Sequence, residues 1–100
     1  MTSVSPEGLF DAGRFHEAAT LAAKQITSSH TKVSAKDVVL FAKTLIATSR
    51  YDEAFNALYL AMTDRKQKAR SLGMQSEIRW IQHRYDEAYN LSLASLELDL

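Results

Sequence analysis

One hundred residues make one domain at most, with a radius of gyration of roughly 13 Å if globular. Hydrophobic residues are 46% and charged residues 24%, a balance that excludes an intrinsically disordered chain. Twelve basic and twelve acidic residues cancel, leaving little bulk attraction for nucleic acid or anionic lipid, and the absence of cysteine excludes disulfides, thiol nucleophiles and thiolate metal sites.

Taken in order, the first residues carry the acids Glu7 and Asp11 and no base before Arg14, so no secretory leader is expected. The dipeptide Ser5-Pro6 reads as an N-cap followed by proline at the first helical position, opening a helix over 5–12. A second helix is predicted over 15–28, and the polar stretch 28–37 reads as a loop. That loop ends in Ser34 with Asp37 three residues on, a capping-box-like start for a helix over 35–48. There Val38, Phe41, Ala42 and Leu45 fall at i, i+3, i+4 and i+7, one helical face. The next segment, 51–63, places Tyr51, Ala54, Phe55, Leu58, Ala61 and Met62 on a single stripe, and two further helices are predicted over 67–82 and 85–98. Short connections fold consecutive helices back as antiparallel neighbours, so the expectation is an all-α domain of three helical hairpins. The longest apolar run, Val38-Val39-Leu40-Phe41-Ala42, is far short of the ~20 residues that span a bilayer. No membrane contact and a cytoplasmic location are expected.

Three segments align without gaps: GRFHEAATLAAKQI from Gly13, SRYDEAFNALYLAM from Ser49 and HRYDEAYNLSLASL from His83. Each carries Arg, an aromatic and then X-Glu-Ala, and the aromatics Phe15, Tyr51 and Tyr85 are 36 and 34 residues apart. In this the chain resembles the tetratricopeptide repeat family, whose second helix opens with an aromatic followed by Asp/Glu-Glu-Ala. The resemblance implies a short right-handed solenoid with repeats over about 5–31, 35–64 and 67–100. Val38, Phe41, Ala42 and Leu45 match the family's first-helix pattern in the second repeat. In the third, the equivalent residues are Leu72, Gln75, Ser76 and Arg79, while the apolar residues follow Met74, Ile78, Ile81 and Tyr85. Either the register shifts by two residues or this helix packs differently.

Catalytic and metal constellations are thin. His16, His30 and His83 lie far apart, none at metal-ligand spacing from another, and no phosphate-binding glycine loop or nucleophile elbow is present. A non-enzymatic protein without cofactor or metal is expected. The resemblance implies instead a concave groove lined by first helices, which would receive a protein or peptide segment. Its candidate residues are Lys36, Val39, Lys43 and Ile46 in the second repeat, and Glu77, Trp80 and Ile81 in the third. Trp80 suits either a core position or the groove, where tryptophan is enriched among interface hot spots. The family's carboxylate clamp is not expected, because Val39 and Gly73 stand where its polar residues belong.

Two further surfaces offer other functions. Tyr89, Leu93, Leu96 and Leu100 recur at i, i+4, i+7 and i+11, an apolar stripe where a repeat array carries a polar outer face, so self-association through the last helix is an alternative expectation. The run Arg65, Lys66, Lys68 and Arg70 is basic, whereas residues 85–100 hold four acids and no base. An accessory protein that binds nucleic acid through 65–70 is the remaining reading. No aromatic interleaves the run and the field of the whole chain is neutral, so a small adaptor or chaperone for a protein segment is preferred.

Overall fold

Three tight turns of one design organise the chain, which is seen in a computed structural model that describes residues 5–28 and 34–99. The elements are α1 (Pro6–Asp11), α2 (Phe15–Ser28), α3 (Ala35–Ala47), α4 (Tyr51–Ala57) continued by a 3-10 turn (Leu58–Ala61), α5 (Arg65–Ile81) and α6 (Tyr85–Asp99). Within each pair α1–α2, α3–α4 and α5–α6, the first helix ends in a left-handed residue: Gly13 (φ 78°), Ser49 (φ 61°) and His83 (φ 62°). Their N–H groups donate to the carbonyls of Phe10, Ile46 and Trp80, each at 3.0 Å. The next N–H groups, of Arg14, Arg50 and Arg84, reach back to Leu9, Leu45 and Arg79, each at 2.8 Å. This double bond pattern satisfies carbonyls that a helix end otherwise leaves orphaned. The same three arginines start the following helices, their carbonyls accepting from Ala18, Ala54 and Ala88.

Each of these arginines also pairs with the glutamate three residues later: Arg14 with Glu17, Arg50 with Glu53 and Arg84 with Glu87. Hydrogen bonding from the Arg50 guanidinium holds the Glu53 carboxyl below the usual carboxylate range, and Glu53 in turn raises Arg50. The Glu53 contribution is therefore present above the carboxylate's unfolded value and is lost as pH falls through the folded one. Both partners are solvent-exposed, so the pairs orient the turn more than they stabilise the fold.

Non-glycine residues in the left-handed region carry a steric penalty of roughly 1–2 kcal/mol. Ser49→Gly is therefore expected to stabilise the protein by about 0.5–1 kcal/mol and to raise the thermal midpoint by a few degrees. His83→Gly gains less, because it forfeits the contact of His83 Nδ1 with the Tyr85 hydroxyl at 2.7 Å. A midpoint for Ser49→Gly at or below wild type in circular-dichroism melts would refute this account of the turn.

Helix starts follow local chemistry. Ser5 accepts from the Gly8 N–H at 3.0 Å and Ser34 from the Asp37 N–H at 3.2 Å, as expected of N-caps. Asp64 does the same for Gln67 at 2.8 Å, so α5 begins at Arg65, two residues before the expected start. The segment expected as one helix over 51–63 instead tightens into the 3-10 turn after Ala57. Close to that point, the Phe55 carbonyl accepts Gln75 Nε2 from α5 at 3.0 Å.

Each helix packs on its neighbours in sequence, and the odd-numbered helices also touch in order, α1 on α3 and α3 on α5. Among the described residues the even-numbered helices make no mutual packing contacts. Side-by-side stacking of this kind gives extents of 46 × 29 × 19 Å and a radius of gyration of 14.0 Å, slightly larger than a globular chain of this length would have. The core follows the predicted stripes. Ala42, Leu45, Ala54, Leu58 and Ile78 form one fully buried cluster, with Phe41, Tyr51 and Phe55 packed against it. Val38, Val39 and Ala61 form a second.

In α5 the register is not shifted. Gln75 and Ser76 are buried, Leu72 is half-buried, and the Arg79 side chain is 11% exposed, whereas Ile81 and Tyr85 are exposed. Polar residues occupy these inward positions because α4 and α6 supply partners. Ser76 Oγ donates to the Ala88 carbonyl at 2.7 Å and lies 2.9 Å from Ser92 Oγ. Ser95 Oγ donates back to the Ala69 carbonyl at 2.6 Å. A seam of Ala69, Gly73 and Ser76 against Ala88, Ser92 and Ser95 lets α5 and α6 approach closely, which makes theirs the most extensive helix contact among the described residues.

Candidate partner-binding groove

The exposed face of the odd-numbered helices is built by repetition. Residues 36 and 43 are two helical turns apart on α3, and the 34-residue spacing carries them to Arg70 and Glu77 on α5. The 36-residue spacing carries Lys43 and Ile46 back to Glu7 and Phe10 on α1. The structure brings these side chains together in two adjoining open cavities. One, of about 150 Å³, is lined by Glu7, Lys36, Val39, Leu40, Lys43 and Arg70. The other, of about 480 Å³, is lined by Phe10, Lys43, Ile46, Ala47, Arg70, Met74 and Glu77. Lys43 and Arg70 belong to both, so a single shallow groove runs across α1, α3 and α5.

Five of the seven expected groove residues, Lys36, Val39, Lys43, Ile46 and Glu77, line this surface, and Trp80 and Ile81 do not. Val39 does so only from beneath: it is 3% exposed and packs with Val38 and Ala61, so it supplies floor rather than a contact surface. Ile46 is half-buried against the main core cluster. Trp80 is not a lining residue of either cavity and is not core. It is 64% exposed at the end of α5, with its ring edge-on to Tyr85 at 4.7 Å between centroids. Sequence reasoning missed Glu7, Phe10, Arg70 and Met74. The signal for the first three was available, because the repeat spacing places them at positions equivalent to Lys43, Ile46 and Lys36.

Chemically, the groove has an apolar floor of Phe10, Ile46 and Met74. A central row alternates in charge from Glu7 through Lys43 to Glu77, and beside it Lys36 and Arg70 form a wholly basic row. Such a surface can bury an apolar side chain while pairing with carboxylates next to it. Among the described residues, no group of three or more histidine, aspartate or glutamate side chains is placed to hold a metal ion. His16 is exposed on α2, His83 sits in the last turn, and His30 lies outside the described residues.

The two other surfaces are also defined. Arg65 of the basic run is engaged at the end of α6, donating from Nε to the Leu98 carbonyl at 2.8 Å and from Nη2 to the Glu97 carbonyl at 3.3 Å. Lys66, Lys68 and Arg70 remain exposed. Along α6, Tyr89, Leu93 and Leu96 are exposed, Leu91 and Leu98 are half-buried, and Leu100 lies outside the described residues. None of the described helices is long and apolar enough to cross a membrane. No family model matches the chain, and neither a curated protein nor a solved structure matches it.

Proposed function

We propose that this chain is a protein-interaction module, a short tetratricopeptide-like array of three repeats. It acts as an adaptor or chaperone that holds a protein segment in the groove across α1, α3 and α5. The reading is carried by one observation: side chains far apart in sequence, among them Phe10, Lys43, Ile46, Arg70 and Met74, line one continuous open surface with an apolar floor and a basic row. The segment it suits presents an apolar side chain to Ile46 and Met74 and acidic residues to Lys36, Lys43 and Arg70. Selection from a random peptide library tests this directly. Selected peptides are expected to pair an apolar residue with flanking acids. They should bind the Lys43→Glu/Arg70→Glu variant at least tenfold more weakly, a loss of about 1.4 kcal/mol or more. Equal binding to wild type and this variant would exclude the groove. So would a loss confined to Lys66→Glu/Lys68→Glu, which alters the basic run outside it.

A second reading, self-association through α6, has the exposure of Tyr89, Leu93 and Leu96 in its favour. Nucleic-acid binding through 65–70 has less, since Arg65 is already committed to the α6 carbonyls.

A further inference from the structure

The last two even-numbered helices are near copies of each other. Arg-Tyr-Asp-Glu-Ala occupies 50–54 and 84–88, followed by Phe55-Asn56 in α4 and Tyr89-Asn90 in α6. Both helices are entered through the same turn and the same arginine–glutamate pair. Their outer faces nevertheless have opposite fates. On α4 and its 3-10 continuation, α5 sits over the face: Leu58 is fully buried in a cluster with Ile78, and the Arg79 guanidinium lies 3.7 Å from the centroid of the Phe55 ring. Arg79 also meets Asp52 at 3.5 Å, and Gln75 donates to the Phe55 carbonyl. On α6, the residues equivalent to the half-buried Phe55 and Met62 are Tyr89 and Leu96, exposed at 66% and 61%, while Asp86, like its counterpart Asp52, is exposed.

We infer that the outer face of α6 is a docking site for a basic amphipathic helix of a partner protein, seated there as α5 is seated on α4. Tyr89 offers the ring on which a guanidinium stacks, Asp86 the carboxylate that pairs with it, and Leu93 and Leu96 the apolar seat. Ser92 stands where α4 continues into Leu58, so this seat rests more on Tyr89 and Leu96 than its counterpart does.

Charge decides the kind of occupant. Residues 85–99 carry Asp86, Glu87, Glu97 and Asp99 and no base, so a basic helix complements them, and in the equivalent seat the cation that meets α4 is Arg79 of α5. A second copy of this chain is a poor occupant for the same reason. Antiparallel pairing of two α6 helices sets Asp86 and Glu87 of one against Glu97 and Asp99 of the other, and parallel pairing sets each acid beside itself. The inward face of α5 in a second copy is already packed against α3, α4 and α6, so its exposed bases Lys66, Lys68 and Arg70 come without that face to fill the seat. This surface is separate from the groove, and the two assignments stand or fall independently.

A helix-stapled synthetic peptide with the sequence of residues 64–82 is the probe, because it is a basic amphipathic helix that already fits the equivalent seat. Titrated into the intact protein by calorimetry, it is expected to bind one to one, more weakly as salt is raised. Asp86→Lys or Tyr89→Ala in the protein, or Arg79→Ala in the peptide, should each weaken binding at least tenfold, while Lys43→Glu/Arg70→Glu in the groove leaves it unchanged. Leu96→Lys serves as a second end-face variant should either of the others lose its helical spectrum. Absence of saturable binding would overturn the inference, and so would binding that survives the end-face variants or is lost with the groove variant. A dimer in sedimentation equilibrium that Leu96→Lys dissociates would overturn it in favour of a second copy.

Discussion

Replacing Ile78 by alanine is expected to lower the unfolding free energy by about 3 kcal/mol, within the range of cavity-forming substitutions in packed cores. Ile78 is fully buried, and it is the one residue of α5 in the cluster that also holds Ala42 and Leu45 of α3, Ala54 of α4 and Leu58 of the 3-10 turn. The other large contact of α5 is with α6, so the cavity opens at the seam that attaches the last hairpin to the rest of the protein. A folded chain of this size holds only about 5–15 kcal/mol in total, so such a loss corresponds to a fall of roughly 15 °C in melting temperature. Because stacked hairpins are coupled only through neighbouring interfaces, the urea transition should also broaden as the α5–α6 hairpin decouples. Ile81→Ala, three residues on and exposed, is the matched control and should change stability by under about 0.5 kcal/mol. Urea melts followed by circular dichroism decide the matter: a loss below about 1 kcal/mol for Ile78→Ala would show that this seam does not rest on its apolar cluster.

The second large effect is expected at Arg79, where alanine should cost about 2 kcal/mol. Its guanidinium lies over the Phe55 ring, meets Asp52 of α4 at 3.5 Å, and donates from Nη1 to Gln82 Oε1 at 2.6 Å. Nε lies 3.0 Å from Glu87 Oε2 of α6, close enough for an ion pair though not aligned as a hydrogen bond. One buried cation thus joins α4, α5 and α6. The cost stays below that of an orphaned buried charge, because Asp52 and Glu87 are exposed at 80% and 48% and regain water when the arginine is gone. Asp52→Asn should accordingly change stability by under about 0.5 kcal/mol. Arg79→Met, which keeps the packed stem, should recover about half of the alanine loss. Equal losses for alanine and methionine would assign the whole effect to charge, and no loss for either would remove Arg79 from the framework.

Much of the fold was legible before any packing was known, and particular residues show why. Ser5 and Ser34 cap the helices they were expected to cap, because N-capping is settled within one turn of backbone. Phe15, Tyr51 and Tyr85 mark second helices at their starts, and the stripes of α3 and α4 are the buried ones. The groove was partly legible: Lys36, Lys43, Ile46 and Glu77 line it, but Phe10 and Arg70 emerge only when the repeat spacing is carried across all three first helices. Trp80 was not legible. Its equivalent, Ile46, packs against the main core cluster, whereas Trp80 meets only the ring of Tyr85 among the described aromatic side chains.

What the sequence determined by itself was local or periodic: the capped helices, the three repeated turns and the pairing of helices into hairpins. Those properties depend on residues within a few positions of each other. The tertiary structure decided the side chains whose burial depends on a distant partner. Gln75, Ser76 and Arg79 look like solvent-facing residues by hydropathy, yet all three turn inward where α4 or α6 supplies carbonyls, a hydroxyl, an aromatic ring and carboxylates. Conversely, Tyr89 and Leu96 are apolar by hydropathy and were expected as an association stripe, and they are exposed because, among the described residues, no helix lies over them as α5 lies over α4. Hydropathy records what a side chain prefers to meet, and only the placement of neighbouring helices decides what it does meet.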